Sequence, residues 1–384
     1  MSLFASAVAL VSAAPALAAQ EPLGHKPAAV MGTVNIANPS DALSFARFSK
    51  NGQGALMLVE SYQDNRVHGK DLSTLFEGSI DDPISLLQKY TYAEIQSATS
   101  NSAGLEVVTV PVADLLMPVA LTDDHIAVGT NFPAHAEEAT VEDGPFLFPK
   151  RVAPTNARSS LSAGTGLLDF EVELCFVAID TVTLSSKQGR VGLLLCNDFT
   201  DREKLMHHLD AFDVTSGKGF TTGKSAPGFM PVGNLFVVPK DHRTFSEPLE
   251  LTLYHNGELA QQATQRDAIW AYDDLMVQIE QRSGTSWKYQ GEQVALAVQE
   301  GNISPRTAIL AGTPDGTLFK GLPRKFQALG VLDWVLGGWN KPVPYWIVSR
   351  YVDNAKAEEF YLQAGDKVEI HVEGLGEMTT SITP

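Results

Sequence analysis

The segment LLDFEVELCFVAID, residues 167–180, begins with alternating acids and continues as an apolar run. Glu171 and Glu173 are two positions apart, so on a β-strand their side chains share one face about 6–7 Å apart. The apolar run predicts a strand covered on both faces, with the two carboxylates lining a cavity at its mouth. Like charges this close repel unless a cation neutralises them. The segment therefore predicts a buried strand that delivers acidic ligands to a site.

A third carboxylate follows the next apolar segment of the chain. VGLLLCNDFTDRE, residues 191–203, is typical of a second buried strand, and Asp198 lies at its end. With Glu171 and Glu173 it would complete a three-carboxylate site, and carboxylate oxygens are preferred ligands of hard divalent cations. We expect Mg²⁺ there, with Mn²⁺ or Ca²⁺ as alternatives. A solvated acidic strand face for the glutamates and a helix N-cap for Asp198 stay open as other interpretations.

Two further segments carry residue types that catalysis uses. In VGTNFPAHAEEA, residues 128–139, His135 precedes Glu138 by three positions, so both lie on one face of a helical turn. A carboxylate beside an imidazole orients it and raises its basicity, as a general base requires. In SGKGFTTG, residues 216–223, Lys218 lies between two glycines and could meet a developing oxyanion. A solvated helix start and a surface loop are the respective alternatives.

The charge balance limits the classes of partner. The 384 residues include 28 Lys and Arg against 45 Asp and Glu, a formal net charge of −17. A nucleic acid or an anionic membrane surface would require a basic face, so neither is expected. An acidic small-molecule substrate would need a metal or a few local basic side chains. No apolar run after the N-terminal leader is long enough to predict a membrane-spanning helix.

The first 19 residues are small, apolar and uncharged, and they contain Ala16-Leu17-Ala18, a pattern typical of a signal-peptide cleavage site. A signal peptide would place the mature protein in the periplasm or outside the cell. No basic residue precedes the apolar run, so a disordered Ala-rich leader on a cytoplasmic protein is the alternative.

Cys175 and Cys196 are the two cysteines, and both lie in apolar runs. We expect them to be buried free thiols. On that interpretation they do not indicate a redox compartment.

The hydrophobic patterns predict an α+β fold with a mixed or antiparallel sheet. Helical periodicity covers 81–98, 200–211 and 272–282. Asn256-Gly257 predicts a hairpin turn because both positions favour positive φ. Strand patterns cover 168–180, 189–197, 230–239, 248–255, 258–263, 307–312 and 366–382. We divide the chain into a small N-terminal α+β domain, 28–115, and a C-terminal domain, 121–384, with an insertion around 318–361.

The insertion is rich in tryptophan. Three of the five tryptophans, Trp334, Trp339 and Trp346, lie in residues 320–351. Large aromatic side chains often anchor interfaces, so this segment could be a substrate lid or a partner surface. A loop-and-helix excursion that packs on its own domain is the alternative.

Seven segments, in this order, resemble motifs of the fumarylacetoacetate hydrolase superfamily. The resemblance runs from about residue 106 to the C-terminus, and residues 40–105 are weakly similar to the small N-terminal domain of its members. The segments are VGTNFPAHAEE, LDFEVEL, NDFTDRE, GKGF, YHNGELAQ, ILAGTPDG and LQAGDKVEIHVEGLGEMTTSI. The resemblance implies a mixed β-roll with a small N-terminal domain, assembled as a homodimer.

The resemblance also implies roles for individual residues. It makes Glu171, Glu173 and Asp198 the metal ligands and His135 the base, oriented by Glu138. The remaining roles are charge stabilisation by Lys218, contact with the polar end of the substrate by Arg202, and binding of a substrate carboxylate by Thr313.

The activity implied by the resemblance is metal-dependent hydrolysis of a C–C bond in a β-diketo acid such as an acylpyruvate, a reaction of aromatic catabolism. A β-keto acid decarboxylase or a dienol-acid isomerase or hydratase could use the same site, and an exported non-catalytic binding protein is a further alternative. The chain departs from the family pattern in its D-R-E triplet, in a longer segment after Lys218 and in the enlarged insertion. These departures bear on substrate identity more than on fold.

Overall fold

The computed structural model describes residues 31–73, 75–76, 80–101 and 104–384. The strands are β1 (Ala42–Lys50), β2 (Gln53–Gln63), β3 (Arg66–Asp71), β4 (Val107–Pro111), β5 (Leu115–Leu116), β6 (Asp124–Gly129), β7 (Phe146–Arg151), β8 (Arg158–Ser162), β9 (Leu168–Asp169), β10 (Val172–Ala178), β11 (Val182–Thr183), β12 (Val191–Asn197), β13 (Thr200–Asp201), β14 (Phe236–Pro239), β15 (Glu250–His255), β16 (Glu258–Thr264), β17 (Trp287–Tyr289), β18 (Glu292–Val294), β19 (Asn302–Ile303), β20 (Ala308–Leu310), β21 (Lys367–Val372) and β22 (Gly376–Thr383).

The α-helices are α1 (Pro83–Lys89), α2 (Tyr92–Asn101), α3 (Pro133–Glu138), α4 (Arg202–His208), α5 (Phe220–Lys224), α6 (His242–Ser246), α7 (Tyr272–Arg282), α8 (Arg324–Val335) and α9 (Val343–Ala357). Short 3₁₀ turns occur at Val112–Asp114, Val214–Ser216 and Gln265–Asp267.

The central sheet has the strand order β4-β3-β2-β1-β14-β12-β10-β20-β6-β7, with β5 paired to β1. Its pairs are antiparallel except for β20 with β6, which is parallel. A second sheet, β16-β15-β21-β22-β8, contains the hairpin predicted at Asn256-Gly257, formed by β15 and β16. The α+β prediction is therefore confirmed: the sheets are mixed, and the helices pack around them.

The N-terminal strands continue the central sheet. Strand β1 pairs with β14, and Ala42 lies opposite Pro239. The proposed boundary near residues 115–121 is therefore crossed by one continuous sheet. The division into two domains stays a prediction.

Strands β10 and β12 form the centre of the core, and every residue of both strands is buried. Val172, Leu174 and Phe176 face one hydrophobic cluster, whereas Cys175 and Val177 face another. Alternate side chains thus enter two different cores, which is why the sequence of β10 is apolar at every position after Glu173. The prediction of a strand covered on both faces is confirmed.

The helical pattern over 81–98 forms two helices rather than one. The Asp82 side chain accepts a hydrogen bond from the Ser85 amide at 2.9 Å and caps α1, and Pro83 occupies the first turn. Tyr90 has extended backbone angles and separates α1 from α2. The start signal was interpreted correctly, but the continuity of the helix was not.

The tryptophan-rich insertion forms a helical hairpin, α8 and α9. The two helices approach so closely at Gly330 that a Cβ atom on this residue would lie 2.5 Å from the Ile347 backbone. The inner face packs on α4, where Met206 joins Phe326, Val348 and Tyr351 in one cluster. The interpretation that this segment packs on its own domain therefore holds for its inner face.

Cys175 and Cys196 form a disulfide bond between β10 and β12, so the expectation of free thiols is wrong. The antiparallel register places Cys175 opposite Leu194 and Cys196 opposite Glu173, and the two side chains meet diagonally in the same cluster. The expectation of burial is correct, because both residues have 0% exposure. Burial alone gave no information on the strand register that makes the bond possible.

In the part of the chain that the structure describes, no helix has the length and apolar character required to cross a bilayer. The leader predicted over residues 1–19 lies outside the described residues.

We expect the Cys175–Cys196 bond to be detectable and to stabilise the fold. It closes a loop with a sequence separation of 21, which corresponds to about 3 kcal/mol through the restricted unfolded chain. The unfolding midpoint in urea should therefore fall when a reductant is added. Thiol titration in denaturant without reductant should detect no free thiol. Two reactive thiols before reduction, or identical midpoints with and without reductant, would contradict the bond.

Candidate metal centre and active site

The pairing of β10 with β12 brings the three predicted carboxylates together. Val172 lies opposite Asn197, so the next pair outward is Glu171 and Asp198, whose amide donates to the Glu171 carbonyl at 2.9 Å. Residues opposite each other in an antiparallel pair have neighbouring Cβ atoms, and Glu173 is two positions along on the same face. One carboxylate oxygen of each residue lies within 4.8 Å of the others, and all three residues are buried.

Three basic side chains neutralise part of this buried charge. The Lys224 ammonium lies 2.5 Å from Glu171 and 2.9 Å from Asp198. Lys150 contacts the second oxygen of Asp198 at 2.5 Å. Arg202 donates to Glu171 at 2.7 Å and to Asp169 at 2.8 Å.

Burial and the neighbouring acids have opposite effects on the pKa values of the two lysines. Burial opposes the charged form of Lys224, but Asp198 and Glu171 outweigh it and raise its pKa. For Lys150, burial prevails and lowers the pKa. The two lysines therefore differ in how firmly they hold a proton beside the same carboxylate.

Glu173 is the least neutralised member of the cluster. Its Oε2 atom accepts from the Gly312 amide at 2.7 Å, whereas its buried Oε1 atom has no hydrogen-bond partner among the described residues. Burial, together with the charges of Asp198 and Glu171, raises the pKa of Glu173 well above its usual range. An orphaned carboxylate oxygen beside two other carboxylates is the donor set that a hard divalent cation requires, so these residues fit a metal ion.

His135 and Glu138 form a pair on α3, with the Nδ1 atom of His135 3.3 Å from the Glu138 carboxylate. Burial would by itself raise the pKa of Glu138, but hydrogen bonds from His135 and Lys320 lower this pKa to about 2. A carboxylate that stays ionised can orient the imidazole. The contact leaves the Nε2 atom of His135 available to the cavity that the ring lines.

The loop after β20 connects the two halves of the site. Its Gly312 amide binds Glu173, and its Gly316 amide binds Glu138 at 3.1 Å. Gly312 has φ +91°, and a Cβ atom there would lie 2.6 Å from the Cβ of Asn131. Glycine is thus required for this close approach, and the loop fixes α3 relative to the acidic cluster.

A cavity of about 270 Å³ adjoins the cluster. Its polar lining includes His135, Glu171, Arg202, Lys224 and Thr313, and most of the remaining lining is apolar. A cavity with a few converging polar groups in an apolar wall is typical of a small-molecule site.

The structure does not bring Lys218 to this site. Its side chain is 58% exposed and pairs with Asp210 at 2.9 Å. Lys224, six residues later, occupies the position beside the acids that we had assigned to Lys218. The two Gly-Lys pairs, at 217–218 and 223–224, look alike in the sequence. The second pair lies closer to Pro231-Val232-Gly233, so choosing it would have shortened the segment that follows the lysine.

Sequence reasoning missed two other members of the site. Lys150 is a lysine within the apolar strand FLFPKR and is fully buried, which only an internal partner permits. Asp169 accepts from Arg202 and from the amides of Leu318 and Phe319 at 2.9 and 3.1 Å. It thereby anchors the segment that leads into α8.

Arg202 and Thr313 lie where a substrate could reach them. Both line the cavity, and the Arg202 guanidinium lies over the Phe319 ring at 5.4 Å. Burial opposes the charge of Arg202, but Asp169 and Glu171 raise the pKa of this guanidinium above its usual range. The Thr313 hydroxyl accepts from the Gln261 amide at 2.9 Å, so its own hydrogen can be donated to a ligand.

Comparison with known families identifies this arrangement. Residues 124–383 match the C-terminal domain of fumarylacetoacetate (FAA) hydrolase, which covers the acidic cluster, α3 and the helical hairpin. The chain belongs to the fumarylacetoacetate hydrolase family. An uncharacterized protein of Staphylococcus epidermidis is 26% identical over 289 residues, covering 70% of this chain and 72% of that protein.

Solved structures share the fold of this family member. A fumarylacetoacetate hydrolase from the psychrophilic Exiguobacterium antarcticum superposes with a TM-score of 0.57 at 17% identity, covering 89% of this chain and 99% of that one. A 2-hydroxyhepta-2,4-diene-1,7-dioate isomerase from Mycobacterium marinum gives 0.51 at 20% identity, with 89% and 98% covered. At these identities the likeness shows the fold alone.

We expect the chain to bind one divalent cation through Glu173 and its neighbours. Calorimetric titration of chelator-treated protein with Mg²⁺ or Mn²⁺ should give one site, which Glu173→Gln should weaken by roughly 100-fold or more, since even outer-shell partners contribute 10- to 100-fold. Glu258→Gln, at the exposed first position of β16, is the matched control and should bind as the wild type does. Unchanged affinity in Glu173→Gln would contradict this assignment.

Proposed function

We propose that this family member is a metal-dependent hydrolase that cleaves a C–C bond in a β-diketo acid of the fumarylacetoacetate or acylpyruvate type. The observation that carries the proposal is the buried cluster of Glu171, Glu173 and Asp198, with its orphaned oxygen, beside a cavity that also receives His135. A divalent cation held there, Mg²⁺ in the first place and Mn²⁺ or Ca²⁺ as alternatives, would polarise the substrate oxygens.

In this mechanism His135 acts on water. Its Nε2 atom takes a proton, and Glu138 stabilises the imidazolium through Nδ1. The hydroxide adds to the distal carbonyl carbon. The bond between that carbon and the central methylene carbon then breaks, and its electron pair goes to the methylene carbon as an enolate. Return of a proton to that carbon gives a 2-oxo acid and a carboxylic acid, so one water is consumed for each bond cleaved.

Positive charge near the enolate supplies the remaining stabilisation. Lys224 lines the cavity and stays charged because of its two carboxylate contacts, so it could stabilise the developing oxyanion. Arg202 and Thr313 would hold the substrate carboxylate, Arg202 by charge and Thr313 by its free hydroxyl hydrogen. We assign the charge-stabilising role to Lys224 in place of Lys218.

A decarboxylase and an isomerase or hydratase on the same site are the alternative reactions. The Mycobacterium marinum neighbour carries the name of an isomerase, and each of these reactions passes through an enolate or dienolate. Decarboxylation needs no activated water, so the dependence on His135 separates it from hydrolysis. A non-catalytic binding protein is the further alternative, and it would turn over none of these substrates.

Two substitutions test the assigned roles in a screen of acylpyruvates with Mg²⁺. His135→Gln should lower kcat for hydrolysis by roughly 10²- to 10⁴-fold, and Lys224→Met should lower it by roughly 10²- to 10³-fold. Lys218→Met replaces an exposed lysine that does not line the cavity, so activity on a short acylpyruvate should stay at the wild-type level. Full hydrolysis by His135→Gln would refute the base. Release of CO₂ from oxaloacetate, a β-keto acid, without hydrolysis of any acylpyruvate would favour the decarboxylase.

We also propose that the protein is exported. A disulfide bond suits an oxidising compartment, and the leader has the pattern of a cleavable signal. N-terminal sequencing of the mature protein should therefore begin at or near Ala19 or Gln20, in a periplasmic or secreted fraction. An intact Met1 in the cytoplasmic fraction would contradict export. Homodimerisation, which the resemblance implies, stays a prediction.

A further inference from the structure

The cavity beside the acidic cluster has a polar end and an apolar wall. The polar end, with Glu171, Lys224 and Thr313, suits the oxygen-rich part of a keto acid. Leu205, Met206, Leu209, Phe220 and Leu322 supply much of the rest of the lining. A short acid would leave this apolar surface in contact with water, which costs binding free energy in proportion to the area.

A second, open groove of about 980 Å³ adjoins the cavity. The two spaces share part of their wall, because both are lined by Met206, Leu209, Ala211, Leu322 and Gln327. Met206 and Gln327 are unbranched, and a methionine side chain adapts to irregular spaces, so a rotamer change at these two positions would open the shared wall. The acidic site and the groove can thus form one continuous channel.

The helical hairpin supplies one side of the groove. Val343, Tyr345 and Val348 of α9 face it, and the Tyr345 ring lies 5.1 Å from the ring of His207 on α4. Two lysines lie at the groove as well, but Lys218 is paired with Asp210, and Lys341 lies over the Tyr345 ring at 5.3 Å. The groove therefore combines apolar and aromatic side chains with little uncommitted charge.

We infer that the natural substrate is a keto acid with a long apolar or aromatic arm. The arm extends from the acidic site between Met206 and Leu322 and lies along α9. The inference rests on the proposed function, because the reacting end is placed at the acidic cluster. It makes the hairpin a determinant of substrate length. Each buried methylene should raise kcat/KM roughly three- to fourfold until the groove is filled.

The test is a series of 2,4-diketo acids with acyl groups from acetyl to decanoyl, one phenyl member and one member with a terminal carboxylate. We expect kcat/KM to rise with chain length and the terminal carboxylate to lower it. Val343→Trp, which narrows the groove, should reduce the ratio of decanoyl to acetyl kcat/KM at least tenfold. Val331→Trp alters an outward-facing valine of α8 that is 43% exposed and should keep the ratio within twofold. A flat series, or a preference for the terminal carboxylate, would overturn the inference.

Binding separates this inference from the proposed reaction. Saturated 2-oxo acids of the same lengths contain no cleavable β-diketo bond, and their affinity can be measured by calorimetry in the metal-loaded protein. The arm is supported if affinity rises with chain length in the wild type and this dependence on length is lost in Val343→Trp or Tyr345→Ala. This holds even if no diketo acid is hydrolysed. Equal affinity at all lengths overturns the arm, even if hydrolysis is observed.

Discussion

The burial of four carboxylates at one end of two paired strands is the constraint on which the site depends. Asp169, Glu171, Glu173 and Asp198 are each at most 4% exposed. Removing one partner from a buried ion pair typically costs 3–5 kcal/mol, so the elements that carry the cations have little freedom to move. Lys150 fixes β7, Lys224 fixes α5 and Arg202 fixes α4 against the acids.

The same constraint explains the tight backbone around the cluster. Helix α5 can deliver Lys224 only if it approaches α4 closely, and a Cβ atom on Gly223 would lie 2.7 Å from that of Leu205. The loop from Gly312 to Gly316 binds the cluster at one end and Glu138 at the other. Charge burial, helix packing and the position of the candidate base are therefore parts of one arrangement.

The helical hairpin packs on the core through its inner face and lines a groove with the start of α9. Its inner face is core, because Phe326 and Tyr351 pack in the cluster that contains Met206. Next to this hydrophobic cluster, the start of α9 lines the groove that adjoins the cavity. Aromatic composition alone cannot distinguish a segment that lines a groove from one that packs in a hydrophobic core, because the same side chains occur in both.

The sequence by itself determined the fold class, the buried central strand, the hairpin at Asn256-Gly257 and the set of three acids. These features follow from local patterns of period two and from turn chemistry, which a single chain displays directly. Only the tertiary structure decided that Lys224 and not Lys218 reaches the acids, that Lys150 joins them, and that Cys175 bonds Cys196. Each of these depends on strand register or helix packing between residues distant in the chain. Such contacts are set by the folded core as a whole, so no local pattern records them.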